Sequence, residues 1–293
     1  MEERKIRDLN YKVQLLNVKL MSDKRSGDAA YIDIMQKIAQ NKVTAAVYGQ
    51  RHMIFRTQFK DVVQVNGRDW EIIYGKLSTF IIFDNNEDWI NLESMSVESV
   101  DLPKNRFPEL KETDYFFIPG AHRLAFVWKS GFSINKVEKF LNAAIPKVLE
   151  EGEDYLVNKE QEDAEFEQIF QADEVKKLIV DISYSNQDIE DEAFQFMSSQ
   201  LDEGHLKKLR LEGTPDNTGN INVGVKILKG ALGLAKHYGK ATASVVKNGV
   251  KSDIITDWHP KTIAFKCKET LLRKNVVTEV VNHFRKAKNG QGG

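Results

Sequence analysis

Val62-Val63-Gln64-Val65-Asn66-Gly67-Arg68-Asp69-Trp70-Glu71-Ile72-Ile73 sets two runs of β-branched and aromatic residues on either side of the turn signal Asn66-Gly67-Arg68-Asp69. Asn and Gly accept the backbone angles of a tight turn at low cost, so the stretch predicts a β-hairpin. The neighbouring sequence repeats the pattern. Val47, Met53-Ile54-Phe55 and Phe80-Ile81-Ile82-Phe83 are apolar runs broken by polar residues, with Asp84-Asn85-Asn86-Glu87 as a further turn before Trp89-Ile90-Asn91-Leu92. From Ala45 to about Val100 the chain therefore predicts a meander of short antiparallel strands.

Outward from that meander, Tyr11–Leu20 predicts a strand and Ala29–Ala39 a helix carrying Ile32, Ile34 and Met35. Tyr115-Phe116-Phe117-Ile118 and Leu124-Ala125-Phe126-Val127-Trp128 flank Pro119-Gly120-Ala121-His122 as a second hairpin. After Ser133, Ile134, Val137, Phe140, Leu141, Ala144 and Val148 recur at helical spacing, and Pro146 bends or stops that helix. Residues 150–173 are acidic, and Phe166, Ile169 and Phe170 give them the face of a short surface helix. Beyond lie a strand at Lys177–Tyr184, a helix supported by Ile189, Phe194, Phe196-Met197 and Leu201, and a strand at Leu206–Leu211. A helix at Val223–Tyr238, strands at Ala241–Val246 and Ile263–Phe265, and a closing helix at Val276–Lys288 follow. The fold class is α+β: a β-rich unit followed by an α+β sandwich with helices on one face, in the manner of a distant split βαβ variant. The expected division is 1–155, an acidic linker at 156–172, and 173–293.

Composition narrows the class. With 41% hydrophobic and 29% charged residues among 293, the chain has a globular profile and the length to bury a core without staples. The first residues, Met1-Glu2-Glu3-Arg4-Lys5, lead into no apolar stretch of a secretory signal, and no later run has the length of a membrane span. The single cysteine, Cys267, leaves no internal disulfide and suits a reducing compartment, so the expected location is cytoplasmic. The net charge of -1 hides a polarity: residues 147–204 hold 4 Lys/Arg against 18 Asp/Glu, and residues 205–293 hold 17 against 6. An excess of that kind either steers a charged partner or is satisfied within the chain.

The sharpest basic pattern is Asn220–Lys240. On a helix, Lys226, Lys229, Gly233, Lys236 and Lys240 form one stripe, and the glycines permit close approach of another backbone or a phosphate chain. Such a stripe would contact DNA or RNA phosphates, with Arg273 and Lys274 extending it and Trp258 available for base stacking. A solvated face balancing residues 147–204 explains the same lysines.

A second constellation is Asp253-Ile254-Ile255-Thr256-Asp257-Trp258-His259-Pro260-Lys261. Asp253 and Asp257 would hold a divalent ion, His259 would transfer a proton and Lys261 would meet a phosphate. Two aspartates four apart in a turn-rich stretch are more commonly turn caps and surface charges. No cofactor is expected, save a divalent metal in that nuclease reading. The six histidines show no metal-ligand spacing, and Gly213–Gly219 lacks the ending of a phosphate-binding loop.

Asp88-Trp89-Ile90-Asn91-Leu92, the run Pro119–Trp128 and the later strand-helix unit resemble an uncharacterised family of bacterial proteins associated with phage-defence loci. The resemblance implies antiviral defence, a role in conflict with mobile DNA, and assigns no reaction. The leading expectation is thus a nucleic-acid-associated binding or sensing protein. Its alternatives are a protein-interaction or self-assembly component and a metal-dependent nuclease.

Overall fold

The computed structural model describes residues 7–83, 88–99, 105–183 and 192–288. The expected turn at 84–87 and the position of Ile189 lie outside the described residues. The chain opens with β1 (Leu9–Met21), α1 (Gly27–Gln40) and β2 (Ala45–Tyr48), and then forms the hairpin of β3 (Arg51–Val65) and β4 (Arg68–Ile81). Val65 faces Arg68 and Val63 faces Trp70. Asn66 and Gly67 take φ of 51° and 75°, the left-handed pair that a two-residue hairpin turn requires.

Within this hairpin the register shifts between Phe55 and Thr57. One extra residue reverses which alternate side chains face which side of the sheet. Met53 and Phe55 consequently enter one core, while Val63 and Val65 enter the core on the opposite face. Gly75 makes the bulge possible, because a Cβ there would stand 1.9 Å from the Thr57 carbonyl oxygen.

The chain continues through the small hairpin β5 (Trp89–Asn91) and β6 (Ser96–Glu98), then β7 (Lys111–Ile118), β8 (Arg123–Val127), α2 (Ile134–Ala144) and β9 (Asp154–Lys159). As Pro146 predicts, α2 stops at Ala144 and passes into a single 3₁₀ turn. Next come α3 (Asp163–Phe170), β10 (Glu174–Ser183), α4 (Glu192–Glu203), β11 (Lys208–Gly213), α5 (Lys226–Tyr238), β12 (Gly239–Lys247) and β13 (Val250–Ile255). β14 (Thr262–Cys267) and α6 (Leu272–Lys288) close it.

These elements make an α+β fold. An eight-stranded antiparallel sheet has the order β14-β1-β8-β7-β4-β3-β2, with β9 also on β1. α1 and α2 cover one face through Tyr31, Ile34, Met35, Ile38, Val137, Phe140 and Leu141. α6 covers the other through Val276, Val277, Val280, Val281 and Phe284, the apolar stripe visible in its sequence. A four-stranded sheet, β11-β10-β12-β13, buries one face against α3, α4 and α5 around Phe166, Phe194, Leu201 and Leu234. All its hydrogen-bonded pairings are antiparallel, and β11 and β12, joined through α5, run parallel to each other on either side of β10, which is the arrangement of a split βαβ unit.

The chain does not divide at residue 173. β9 and β14 both pair with β1, over Leu16–Met21 and Leu9–Gln14 respectively, and they lie end to end along it. Between them the chain leaves the large sheet, builds the smaller unit and returns. Gln161 and Pro260 form an antiparallel bridge at the crossing, and the Lys261 amide donates to the Glu160 carbonyl at 2.8 Å. The smaller unit is therefore an insertion. Its expected last strand and helix belong to the large sheet, because apolar period marks a buried face without saying which core receives it.

The expected linker 156–172 is likewise ordered. Residues 156–159 finish β9, and Phe166 and Ile169 are fully buried anchors of the second core, with only Phe170 left at the surface. Among the described residues, no helix is long and apolar enough to cross a membrane.

Candidate functional site

At the joint between the large sheet and the insertion, four polar side chains converge. Arg123 opens β8, where its backbone pairs with Asn17 of β1. Glu160 follows β9 directly, its amide donating to the Leu15 carbonyl. His237 lies near the end of α5 in the inserted unit, and His283 lies on α6.

Glu160 is 0% exposed and Arg123 2% exposed. The Arg123 Nε faces Glu160 Oε1 as an ion pair. Arg123 also donates from Nη1 to the Ala121 carbonyl at 2.9 Å, and its guanidinium stands 5.7 Å from the Phe284 ring centroid. The other carboxylate oxygen, Oε2, lies 2.7 Å from His283 Nε2, a hydrogen bond. The His237 and His283 rings are 6.3 Å apart, and His237 Nδ1 is buried without a hydrogen-bond partner.

Burial opposes ionisation of Glu160, but the charges of Arg123 and then His283 overcome it and hold the carboxyl well below the usual carboxylate range. Burial pushes His237 down to about 4, against the pull of Glu160, so its imidazole is neutral at pH 7. One ligand atom each from Glu160, His237 and His283 lies within 4.8 Å of the others. One carboxylate and two imidazoles are the donor set of many catalytic zinc sites. Arg123 gripping the second carboxylate oxygen is the kind of outer contact that orients such a ligand.

The residues singled out in the sequence are placed elsewhere. Lys226, Lys229 and Lys236 sit on α5, but the helix ends at Tyr238 and Lys240 is in β12, so the expected stripe is interrupted. Lys226 pairs with Glu192 at 2.8 Å and Lys236 with Asp163 at 3.3 Å, which satisfies part of the basic excess inside the chain. Lys229 is exposed without an ion-pair partner among the described residues. Arg273 does not join them: it pairs with Asp61 at 2.9 Å and stacks over Tyr74 on the large sheet. Lys274 beside it is exposed.

The residues of the expected nuclease constellation each face a different partner. Asp253 accepts from Ser244, Asp257 pairs with Lys159 at 2.7 Å, His259 lies 3.7 Å from Glu165, and Lys261 meets Glu162 and Asp163. Trp258 projects from the turn at 72% exposure. His122, the hairpin-tip histidine, packs on Tyr31 with ring centroids 4.8 Å apart. Sequence reasoning passed over Glu160 because it stood in an acidic segment, and over His237 and His283 because they are remote from each other in the chain.

An antiparallel sheet interrupted by a second α+β unit, with a buried carboxylate, two imidazoles and a guanidinium at the crossing, defines the class. Residues 9–282 match the family described as Domain of unknown function (DUF4747), and the chain belongs to that family. The match takes in Arg123, Glu160 and His237 and stops one residue before His283. No curated protein matches the chain.

Proposed function

We propose that this protein is a metal-dependent hydrolase of phosphodiesters, a nuclease whose divalent ion is held by Glu160, His237 and His283. The observation that carries the reading is the buried His237 Nδ1, a neutral donor without a partner, beside an ionised carboxylate and a second imidazole. The nitrogen and oxygen donors suit zinc or manganese better than calcium. A bound ion would polarise a phosphoryl oxygen. Water adds to phosphorus, the ester P–O bond breaks and the leaving oxygen takes the proton. Arg123 keeps Glu160 oriented and ionised throughout. The role against mobile DNA implied by the sequence resemblance fits such an activity.

This reading is preferred to a nucleic-acid sensor built on α5, because Glu192 and Asp163 already engage Lys226 and Lys236. The test is metal uptake by EDTA-stripped protein, measured by equilibrium dialysis with Zn²⁺ and Mn²⁺, alongside cleavage of single- and double-stranded DNA and RNA. One ion per chain and cleavage, both lost in His237→Ala and His283→Ala, are expected. Wild-type protein that takes up neither ion and cleaves no substrate overturns the reading.

A further inference from the structure

A cleft of about 680 Å³ opens between β9 and the face of the smaller sheet that its helices leave uncovered. Three strands supply that face. Lys208 and Arg210 alternate outward along β11, Asp181 and Ser183 along β10, and Lys240 stands at the start of β12. The register aligns them in rows: Asp181 has Arg210 on one side and Lys240 on the other, and Ser183 is opposite Lys208. Lys159 and Lys207 complete the basic lining.

Pairing within the cleft is uneven. Lys159 is taken by Asp257, Lys207 by Asp154 at 2.6 Å, and Arg210 lies 3.6 Å from Asp181. Lys208 and Lys240 have no ion-pair partner among the described residues. Both act electrostatically on Glu138, whose carboxyl is raised chiefly by burial despite them. The walls also carry the half-buried Tyr155 and Leu209, so apolar surface adjoins the cations. The floor is tied by Asn158 donating to Ser183 Oγ at 3.1 Å and Ser183 donating to the Tyr238 carbonyl at 2.7 Å.

Two unpaired ammonium groups over a pre-formed floor select a compact anion, and the volume suits a single nucleotide and is too small for a duplex. We infer that this cleft binds a nucleotide phosphate, with Lys208 and Lys240 as its phosphate contacts and Tyr155 beside its base. It is separate from the candidate metal centre, because Lys159 faces the cleft whereas the adjacent Glu160 faces Arg123 and α6.

The phosphate belongs either to a free nucleotide or to the end of a strand, and calorimetry at low salt distinguishes the two. ATP and AMP test the first source. A short single strand with and without a 5′-phosphate tests the second. Binding by at least one probe is expected, weakened about 100-fold or more by Lys208→Glu/Lys240→Glu and relieved by added salt. Lys229→Glu, on the exposed side of α5, leaves affinity unchanged. His237→Ala also retains binding, which keeps this result separate from loss of the metal. Circular dichroism confirms that each variant folds. Failure of every probe to bind wild-type protein, or full affinity in the folded double variant, overturns the inference.

Discussion

Replacing Arg123 by Met tests whether Glu160 is a buried charge that depends on one partner. Both side chains are almost wholly inaccessible, and removing one member of such a pair costs about 3–5 kcal/mol, because the remaining ion stays in a low-dielectric site. Loss of the bond to the Ala121 carbonyl adds about 1 kcal/mol. Arg123→Met is therefore expected to cost about 4–6 kcal/mol in urea unfolding at pH 7 with EDTA present. Adding Glu160→Met should return stability to within about 2 kcal/mol of wild type, since apolar replacement of a whole buried pair is often neutral. The pH dependence has a definite sign. In wild type the depressed Glu160 carboxyl contributes stability above the ordinary value near 4.5, and that contribution is lost as pH falls through its lower folded value. Without Arg123 the carboxyl rises and protonates sooner, so the deficit narrows as pH is lowered toward 5. A cost below about 1 kcal/mol, or a deficit that widens on acidification, refutes the assignment of a buried ion pair.

Gly230→Ala places a Cβ 2.1 Å from the Ala193 carbonyl oxygen and 2.6 Å from Met197 Cγ, so separation of α4 and α5 should cost at least about 1–3 kcal/mol in a thermal melt. Gly233→Ala, with Phe194 Cδ2 at 3.4 Å, is expected to be neutral or to stabilise by up to about 1 kcal/mol; equal losses in the two variants would contradict the packing described. His237 is held down to about 4 from 6.5, so the stability it protects is present above 6.5 and falls by up to about 3 kcal/mol as pH drops toward 4. His237→Gln should flatten unfolding free energy against pH over that window, and an unchanged slope would show that another group titrates. Trp258→Ala should alter stability by less than about 0.5 kcal/mol while removing a solvent-quenched part of the fluorescence; a larger loss would place the indole in a core.

Local signals carried most of the elements. Asn66-Gly67 specified its turn through backbone conformation, and the valines of α6 announced a buried face through their spacing. What they left open was the partner. β14 reads as an ordinary strand whichever sheet receives it, and only its pairing with β1 reveals that the chain returns to the first sheet. Charge was legible as an excess but not as a surface: Lys236 and Lys261 are consumed by Asp163, which the acidic count had assigned to a linker. Of the glycines of α5, Gly230 admits a close backbone, that of Ala193, whereas Gly233 meets only the Phe194 ring. The metal candidate was invisible for a related reason. Arg123, Glu160, His237 and His283 come from four separate stretches of the chain, and no short spacing links them.

The bridge between Gln161 and Pro260 also bears on how the protein reaches its native state. β1 is made first and must wait for β14, beyond the whole insertion, before its pairing is complete. Closing an unstructured loop of about 100 residues costs roughly 3 kcal/mol more entropy than closing one of about 4. When the inserted unit collapses first, its two ends emerge side by side and that penalty has already been met. The order of assembly favoured by this thread is thus inside out: the interruption folds, and the interrupted sheet then closes around its own beginning and end.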